Sequence, residues 1–214
     1  MGSHDVAGEP GRYFVGIGVG VYDDASLNLG KAESDVADIA SWFTSGSGIA
    51  HAHVLPALGR SPRSEEILTA LREFLLGLES RDVVVIYIAC HGELEGARAH
   101  LFGRNTPRRG LAGRSIDAST LGAVLGQSKP HNVLLIIDAC VAGRLGSAVQ
   151  RAAEDASDHE GTRDPHLAHA QVVVASAYGR DPPSTGDSPA PSCGSSATSA
   201  GQGRAIAGFR SSSC

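Results

Sequence analysis

The sequence predicts an α/β domain with a mainly parallel central sheet, and three observations carry that prediction. Strand-like and helix-like runs alternate along the chain. The runs "DVVVIYIAC" (82–90) and "HNVLLIIDAC" (131–140) are apolar almost without interruption, as expected where helices cover both faces of a sheet. No repeat of roughly 20 to 50 residues is visible, which sets aside solenoids and propellers.

The elements follow in order. "RYFVGIGVGVY" (12–22) is β-branched and apolar and reads as the first strand. "KAESDVADIASWF" (31–43) reads as a helix, with Val36, Ile39, Ala40 and Phe43 at helical spacing and acids early, where the helix dipole favours them. "AHVLPAL" (52–58) is a weaker strand. "SPRSEEILTALREFLLGLE" (61–79) predicts a helix capped by Ser64, with Ile67, Leu68, Leu71, Leu75 and Leu78 on one face. After the strand at 82–90, residues 94–114 are polar and glycine-bearing and read as an excursion from the sheet, with "RAHLFG" one arm of a short hairpin. A helix capped at Asp117 or Ser119 (117–127), the strand at 131–140 and a last strand, "AQVVVASAYG" (170–179), complete the pattern. Residues 143–170 read as one long loop. The organisation expected is a disordered leader (1–11), one domain (12–179) and a disordered Ser/Gly/Pro-rich tail (180–214) too poor in large apolar residues to offset its chain entropy.

Composition excludes several function classes. Lys+Arg number 18 against 23 Asp+Glu, a formal charge of −5, so no basic field points to nucleic acid or an anionic membrane. No run approaches the roughly 18 to 20 apolar residues of a membrane span, and the N-terminus lacks a secretory signal, so a soluble cytoplasmic chain is expected. The four cysteines show no paired spacing that suggests a disulfide framework. "HAH" (51–53) with His100 lacks acidic or thiolate partners at metal-ligand spacing. The glycines of "GIGVGVY" fall inside the strand and without dinucleotide-binding spacing.

Two strands end in chemistry. "IYIACHGE" and "LLIIDACVAG" each run from apolar residues into a reactive side chain and a glycine, placing His91 and Cys140 at carboxyl ends of strands, where open α/β sheets bind ligands. If the strands are neighbours, thiol and imidazole share a cleft, and the histidine can take the thiol proton and return it to a leaving amine. Gly92 lets substrate approach the backbone, and the amides of Gly92 and Cys140 are candidate oxyanion donors. Cys90 points to the opposite face by strand alternation and reads as core. Cys193 and Cys214 fall in the tail. A lone cysteine at a strand end is usually core; the pairing with His91 at matched ends is what favours chemistry.

These motifs, 49 residues apart, resemble those of the caspase and metacaspase superfamily of cysteine peptidases. The segment "YFVGIGVGVYDDASLNLGKAESDVADIASWF" is similar to the superfamily's first strand, loop and helix, and the resemblance spans about residues 12–178. It implies a caspase-like three-layer sandwich, with His91 as general base and acid and Cys140 as nucleophile in endopeptidase hydrolysis through an acyl-enzyme. Asp138 matches the metacaspase pattern rather than the Gln of animal caspases. With Asp35 in "ESDVAD" it implies an acidic primary pocket, and two carboxylates in a closed pocket select Arg or Lys. Glu33 and Asp38 lie close to Asp35 in sequence, and acids in a first helical turn also serve the dipole.

The expected partner is a protein or peptide substrate, with no nucleic acid and no membrane; the expected cofactors are none, with activation by calcium admitted by the resemblance. Self-cleavage is expected at Arg144, Arg151 or Arg163. Relatives continue beyond the strand at 171–178, so a C-terminally truncated domain is expected here, whose open sheet edge would invite a homodimer or signalling partner. The alternatives are a non-catalytic caspase-like interaction module and, more weakly, a small-molecule-binding protein in which His91 and Asp138 line a pocket.

Overall fold

The computed structural model describes residues 9–46, 51–54, 61–159 and 169–175; for 46, 51–54, 158–159 and 169–175 it describes the backbone alone. Strands β1 (Arg12–Gly18), β2 (His51–Val54), β3 (Val83–Ala89), β7 (Asn132–Asp138) and β8 (His169–Ala175) form one sheet in the order β2-β1-β3-β7-β8. Every pairing in it is parallel. Helix α1 (Ala32–Gly46) covers one face, setting Ala32, Val36, Ile39 and Ala40 against Phe14, Val85, Tyr87 and Ala89. The other face is covered by α2 (Ser64–Leu76), α3 (Ala118–Gly126) and α4 (Ala142–His159), through Ile67, Leu71, Leu121, Val124, Leu145 and Val149. This is the expected three-layer α/β sandwich. Full burial of such side chains stabilises by about 1.5–3 kcal/mol each.

The glycines of the first strand have a packing reason. A Cβ on Gly16 would lie 2.4 Å from Val36 Cγ1, and one on Gly18 would lie 2.8 Å from the Ala32 carbonyl oxygen. They seat α1 close against β1 rather than cradling a phosphate.

Between β3 and α3 the chain builds a small antiparallel sheet, β4 (Gly92–Glu95), β5 (Arg98–Leu101) and β6 (Ile116–Asp117). The expected excursion is thus a hairpin with a third short strand. Asp117 caps α3, its carboxylate accepting the Thr120 amide at 2.9 Å and the Thr120 hydroxyl at 2.8 Å.

Three sequence expectations are corrected. Ser64 does not cap α2: the cap is Arg63, whose amide donates to the Glu66 carboxylate at 2.8 Å. Ser64 is instead buried, its hydroxyl accepting the Gly103 amide at 3.1 Å, because the loop after β5 packs onto the helix start. Residues 143–159 are not loop but most of α4, whose buried face of Ala142, Leu145, Val149 and Ala153 is small enough to escape a reading keyed to large apolar residues. Arg144 and Arg151 are exposed on that helix. Arg163, Cys193, Cys214, the tail from 180 and residues 1–8 lie outside the described residues. Gly11, expected in the leader, is anchored: its amide donates to Asp82 Oδ1 at 2.7 Å.

Candidate active site

The register brings the two strand ends together. β3 and β7 pair from Val83↔Asn132 to Ala89↔Asp138, and the Cys90 amide still donates to the Asp138 carbonyl at 3.2 Å. His91 and Cys140 each lie two residues past the final pair, so they are neighbours at the carboxyl edge. Alternation turns them to the face where Tyr87, Ala89 and Asp138 also point. Cys90 goes the other way, into the core, where burial pushes its thiol up to about 12. Cys140 is exposed, in the turn just before α4, whose first amides favour negative charge nearby.

His91 is held on all sides. Its Nε2 lies 2.7 Å from the Leu27 carbonyl oxygen. A carbonyl only accepts, so Nε2 carries the proton and Nδ1 is left with a free lone pair. The His91 amide donates to the Tyr22 hydroxyl at 2.9 Å. The imidazole packs against the rings of Tyr22 (centroids 5.3 Å apart) and Phe102 (6.3 Å). Burial lowers the His91 pKa, with the Arg108 charge acting in the same direction, while the Leu27 carbonyl and Glu93 oppose them. The ring is therefore neutral at neutral pH. Burial also raises the Tyr22 pKa, with Cys90 and Cys140 adding to it, which keeps the phenol protonated beside the thiol.

The loop that supplies Tyr22 and Leu27 is braced. The Ser61 hydroxyl accepts the amides of Gly20 (3.0 Å) and Val21 (2.8 Å) and donates to Glu33 Oε1 (2.9 Å). Ser61 sits at φ 51, a left-handed conformation that costs an L-residue roughly 1–2 kcal/mol and here aims the hydroxyl. From the far side, Arg108 reaches across, its Nε donating to Asp24 Oδ2 at 3.1 Å and its Nη2 to Ser26 Oγ at 2.7 Å.

Asp138 and Asp35, predicted as a pair, come within electrostatic reach of one another, both half-buried. The Tyr87 hydroxyl donates to Asp138 Oδ2 at 3.0 Å. Burial raises the Asp138 pKa above the ordinary carboxylate value and Asp35 raises it further, while the Tyr87 bond works the other way. The two carboxyls thus share the α1 face of the sheet, the face to which Cys140 alternates.

A Cβ on Gly92 would lie 2.9 Å from Val141 Cγ2 and 3.2 Å from Ala139 Cβ. This glycine therefore lets the chain around Cys140 pack closely against the start of β4. Four residues escaped the sequence reading: Tyr22, Leu27, Tyr87 and Arg108. Of these only Tyr87 left a signal, a hydroxyl at even spacing from His91 in an otherwise aliphatic strand.

Among the described residues, no group of three or more His, Cys, Asp or Glu could hold a metal ion. Buried His100 directs Nδ1 to Ser115 Oγ at 2.9 Å, while the side chains of 51–53 are outside the description. No described helix is long and apolar enough to cross a membrane.

No curated protein matches the chain closely enough to count as a relative. A solved structure, protein GSU0716 from Geobacter sulfurreducens, is similar at a TM-score of 0.49 and 15% identity, over 78% of this chain and 72% of that one. The sequence model of the caspase domain, peptidase family C14, matches residues 13–201. By that match, which takes in both strand ends and the helices packed on them, the chain belongs to the caspase-domain family.

Proposed function

We propose that this protein is a cysteine endopeptidase that cleaves after Arg or Lys. The observation that carries the reading is the β3–β7 register, which sets His91 and Cys140 side by side on one face while Leu27 holds the imidazole proton on Nε2.

Nδ1 of His91 takes the Sγ proton of Cys140, and the sulfur forms a bond to the scissile carbonyl carbon. The carbonyl π pair moves onto oxygen, where the backbone amides of Gly92 and Cys140 are the donors assigned to it; one such donor is worth about 3 kcal/mol. As the C–N bond breaks, the imidazolium returns its proton to the leaving amine. Water, giving a proton to Nδ1, then attacks the thioester and frees the acid and the thiol. The lowered His91 pKa suits the first step, because the base is already neutral. The Leu27 carbonyl suits the later ones, because it stabilises the imidazolium. Asp138 and Asp35 give a primary pocket for a guanidinium or ammonium group; a cationic residue there would draw the Asp138 pKa back down as it binds. No step calls on a metal.

An endopeptidase binds extended backbone, so Arg144 and Arg151, inside a helix, are poor sites for self-cleavage. Arg163 keeps that role in the proposal.

Fluorogenic peptides ending in Arg, Lys or Asp test the reading, with wild type beside Cys140→Ala. Turnover after Arg and Lys alone, lost in the variant, is expected. A folded wild type silent on all three would sink the peptidase and leave the caspase domain acting as an interaction module.

A further inference from the structure

On the side of the sheet covered by α3 and α4, a cleft with a volume of about 620 Å³ opens between β5, the start of α3 and the first turns of α4. Three arginines line it: Arg98 on β5, and Arg144 and Arg151 on α4. All three are exposed, and among the described residues none makes an ion pair. The one carboxylate in the lining, Asp117, caps α3, and its hydrogen bonds from Ser119 and Thr120 hold its pKa down, so it stays ionised and offsets one of the three positive charges. Small residues such as Gly143 and Ala148 keep the floor open. In a chain of net charge −5, a cleft lined by three guanidinium groups against one carboxylate favours anions.

Its position says which anions. Gly143 lies three residues after Cys140, so the cleft begins where the nucleophile ends. The acidic pair Asp35 and Asp138 sits on the α1 face, and the arginines sit on the α4 face. A peptide crossing the edge over Cys140 with its basic residue toward α1 must send the residues after the scissile bond toward α4. Arg144 and Arg151 are seven residues apart on one helix, about 10 Å. An extended peptide advances about 3.3 Å per residue, so the two arginines span about three substrate residues.

We propose that this cleft binds acidic residues on the leaving-amine side of the scissile bond, so that the preferred substrate carries a cation just before the bond and anions just after it. This rests on the peptidase reading above. The chain's own sequence has an Arg followed directly by an acid at Arg72-Glu73, Arg81-Asp82, Arg163-Asp164 and Arg180-Asp181; the first two lie in helix α2 and just before β3, and the last two are each followed by proline.

Internally quenched peptides test it, each with Arg before the bond and either Asp and Glu or Asn and Gln in the four positions after it. The quantity read is the ratio of kcat/KM, acidic over neutral, within each variant, so that a general loss of fold cancels. In wild type the ratio should be about tenfold at low salt, as two or three exposed ion pairs allow, and should fall as salt rises. In the double variant Arg144→Glu, Arg151→Glu it should drop below one. A wild-type ratio near one, or one that survives the charge reversals, overturns the proposal while leaving the peptidase standing. Fluorescence anisotropy on Cys140→Ala, with a labelled acidic peptide holding only the residues after the bond, separates the two readings. Binding that is lost on charge reversal supports the cleft even if no peptide is hydrolysed, in which case the peptidase reading is what fails. Equal binding of the acidic and amide peptides overturns the cleft.

Discussion

Cys90 and Cys140 end adjacent strands of one sheet, and they differ in almost every property that matters. Cys90 is 5% exposed, faces α2–α4, and has its thiol pushed up to about 12 by burial. Cys140 is exposed, faces the side of His91 and Asp138, and precedes a helix start. One residue of offset along the strand separates them. Alternation sends one thiol into the hydrophobic layer and the other to the open edge, so accessibility here is a matter of strand parity before it is a matter of neighbours.

The largest effect comes from breaking that contrast directly. Cys140→Ala should lower kcat/KM on an Arg peptide by at least about 10³-fold, as removing a nucleophile does. Cys90→Ala should leave hydrolysis nearly intact and cost about 1 kcal/mol of stability in a urea titration, the scale of a small buried truncation. Iodoacetamide under native conditions, followed by peptide mapping, should label Cys140 and spare Cys90. Labelling of Cys90 at a comparable rate would mean that the strand end is not packed as described.

That parity was legible in the sequence, as was the position of Asp138 on the same face as Cys140. The braces around them were not. Leu27 acts through its backbone carbonyl, which no side chain announces, and Tyr22 meets His91 across 69 residues of chain. Helix α4 escaped for a different reason. Its buried stripe rests on Leu145 and Val149 with Ala142 and Ala153, too little large apolar surface to stand out among glycines and charges. Ser64 misled because a serine before two glutamates has the form of a cap, yet its hydroxyl is claimed by residues about 40 positions away, which local sequence does not reveal.

The acidic pair proposed as the primary pocket, Asp138 and Asp35, sharpens the comparison at the next level. Asp138→Asn should lower kcat/KM on Arg peptides by about 10²-fold, the scale of removing one partner of a desolvated charge pair. Tyr87→Phe should act more mildly and in a pH-dependent way. The Tyr87 bond holds the Asp138 pKa down, so its loss lets that pKa rise further. More Asp138 is then protonated as pH falls, and KM for Arg peptides climbs at a higher pH than in wild type. The stability linkage has the opposite sign. A carboxyl whose folded pKa is raised contributes stability fully below its unfolded value and loses it as pH rises through the folded one. Tyr87→Phe therefore should weaken substrate binding most where the protonated carboxyl is best tolerated by the fold. KM profiles of the two proteins that superimpose would deny Tyr87 this part.

The smallest effect concerns His91, the proposed base. Burial, with Arg108 adding to it, keeps the His91 pKa below its ordinary value, so the acid limb of kcat/KM should fall below that of an exposed histidine. The linkage runs the same way: as pH falls below about 6.5 the unfolded chain takes up a proton that the folded ring resists, and stability is lost until the folded pKa is passed. Arg108→Ala removes a positive charge, which raises the His91 pKa, moves the acid limb upward and lowers activity near pH 6 by about two- to threefold, an exposed charge being well screened. Arg108 also ties down Asp24 and Ser26, and Arg108→Lys separates its two roles. Lysine keeps the charge but not the fork that reaches both partners. If charge is what tunes His91, the lysine variant keeps the wild-type acid limb, and high salt moves wild type toward the alanine profile. If position is what counts, both variants lose activity at every pH, and salt does not reproduce the loss, because the imidazole has lost the fixed Leu27 carbonyl that keeps its proton on Nε2.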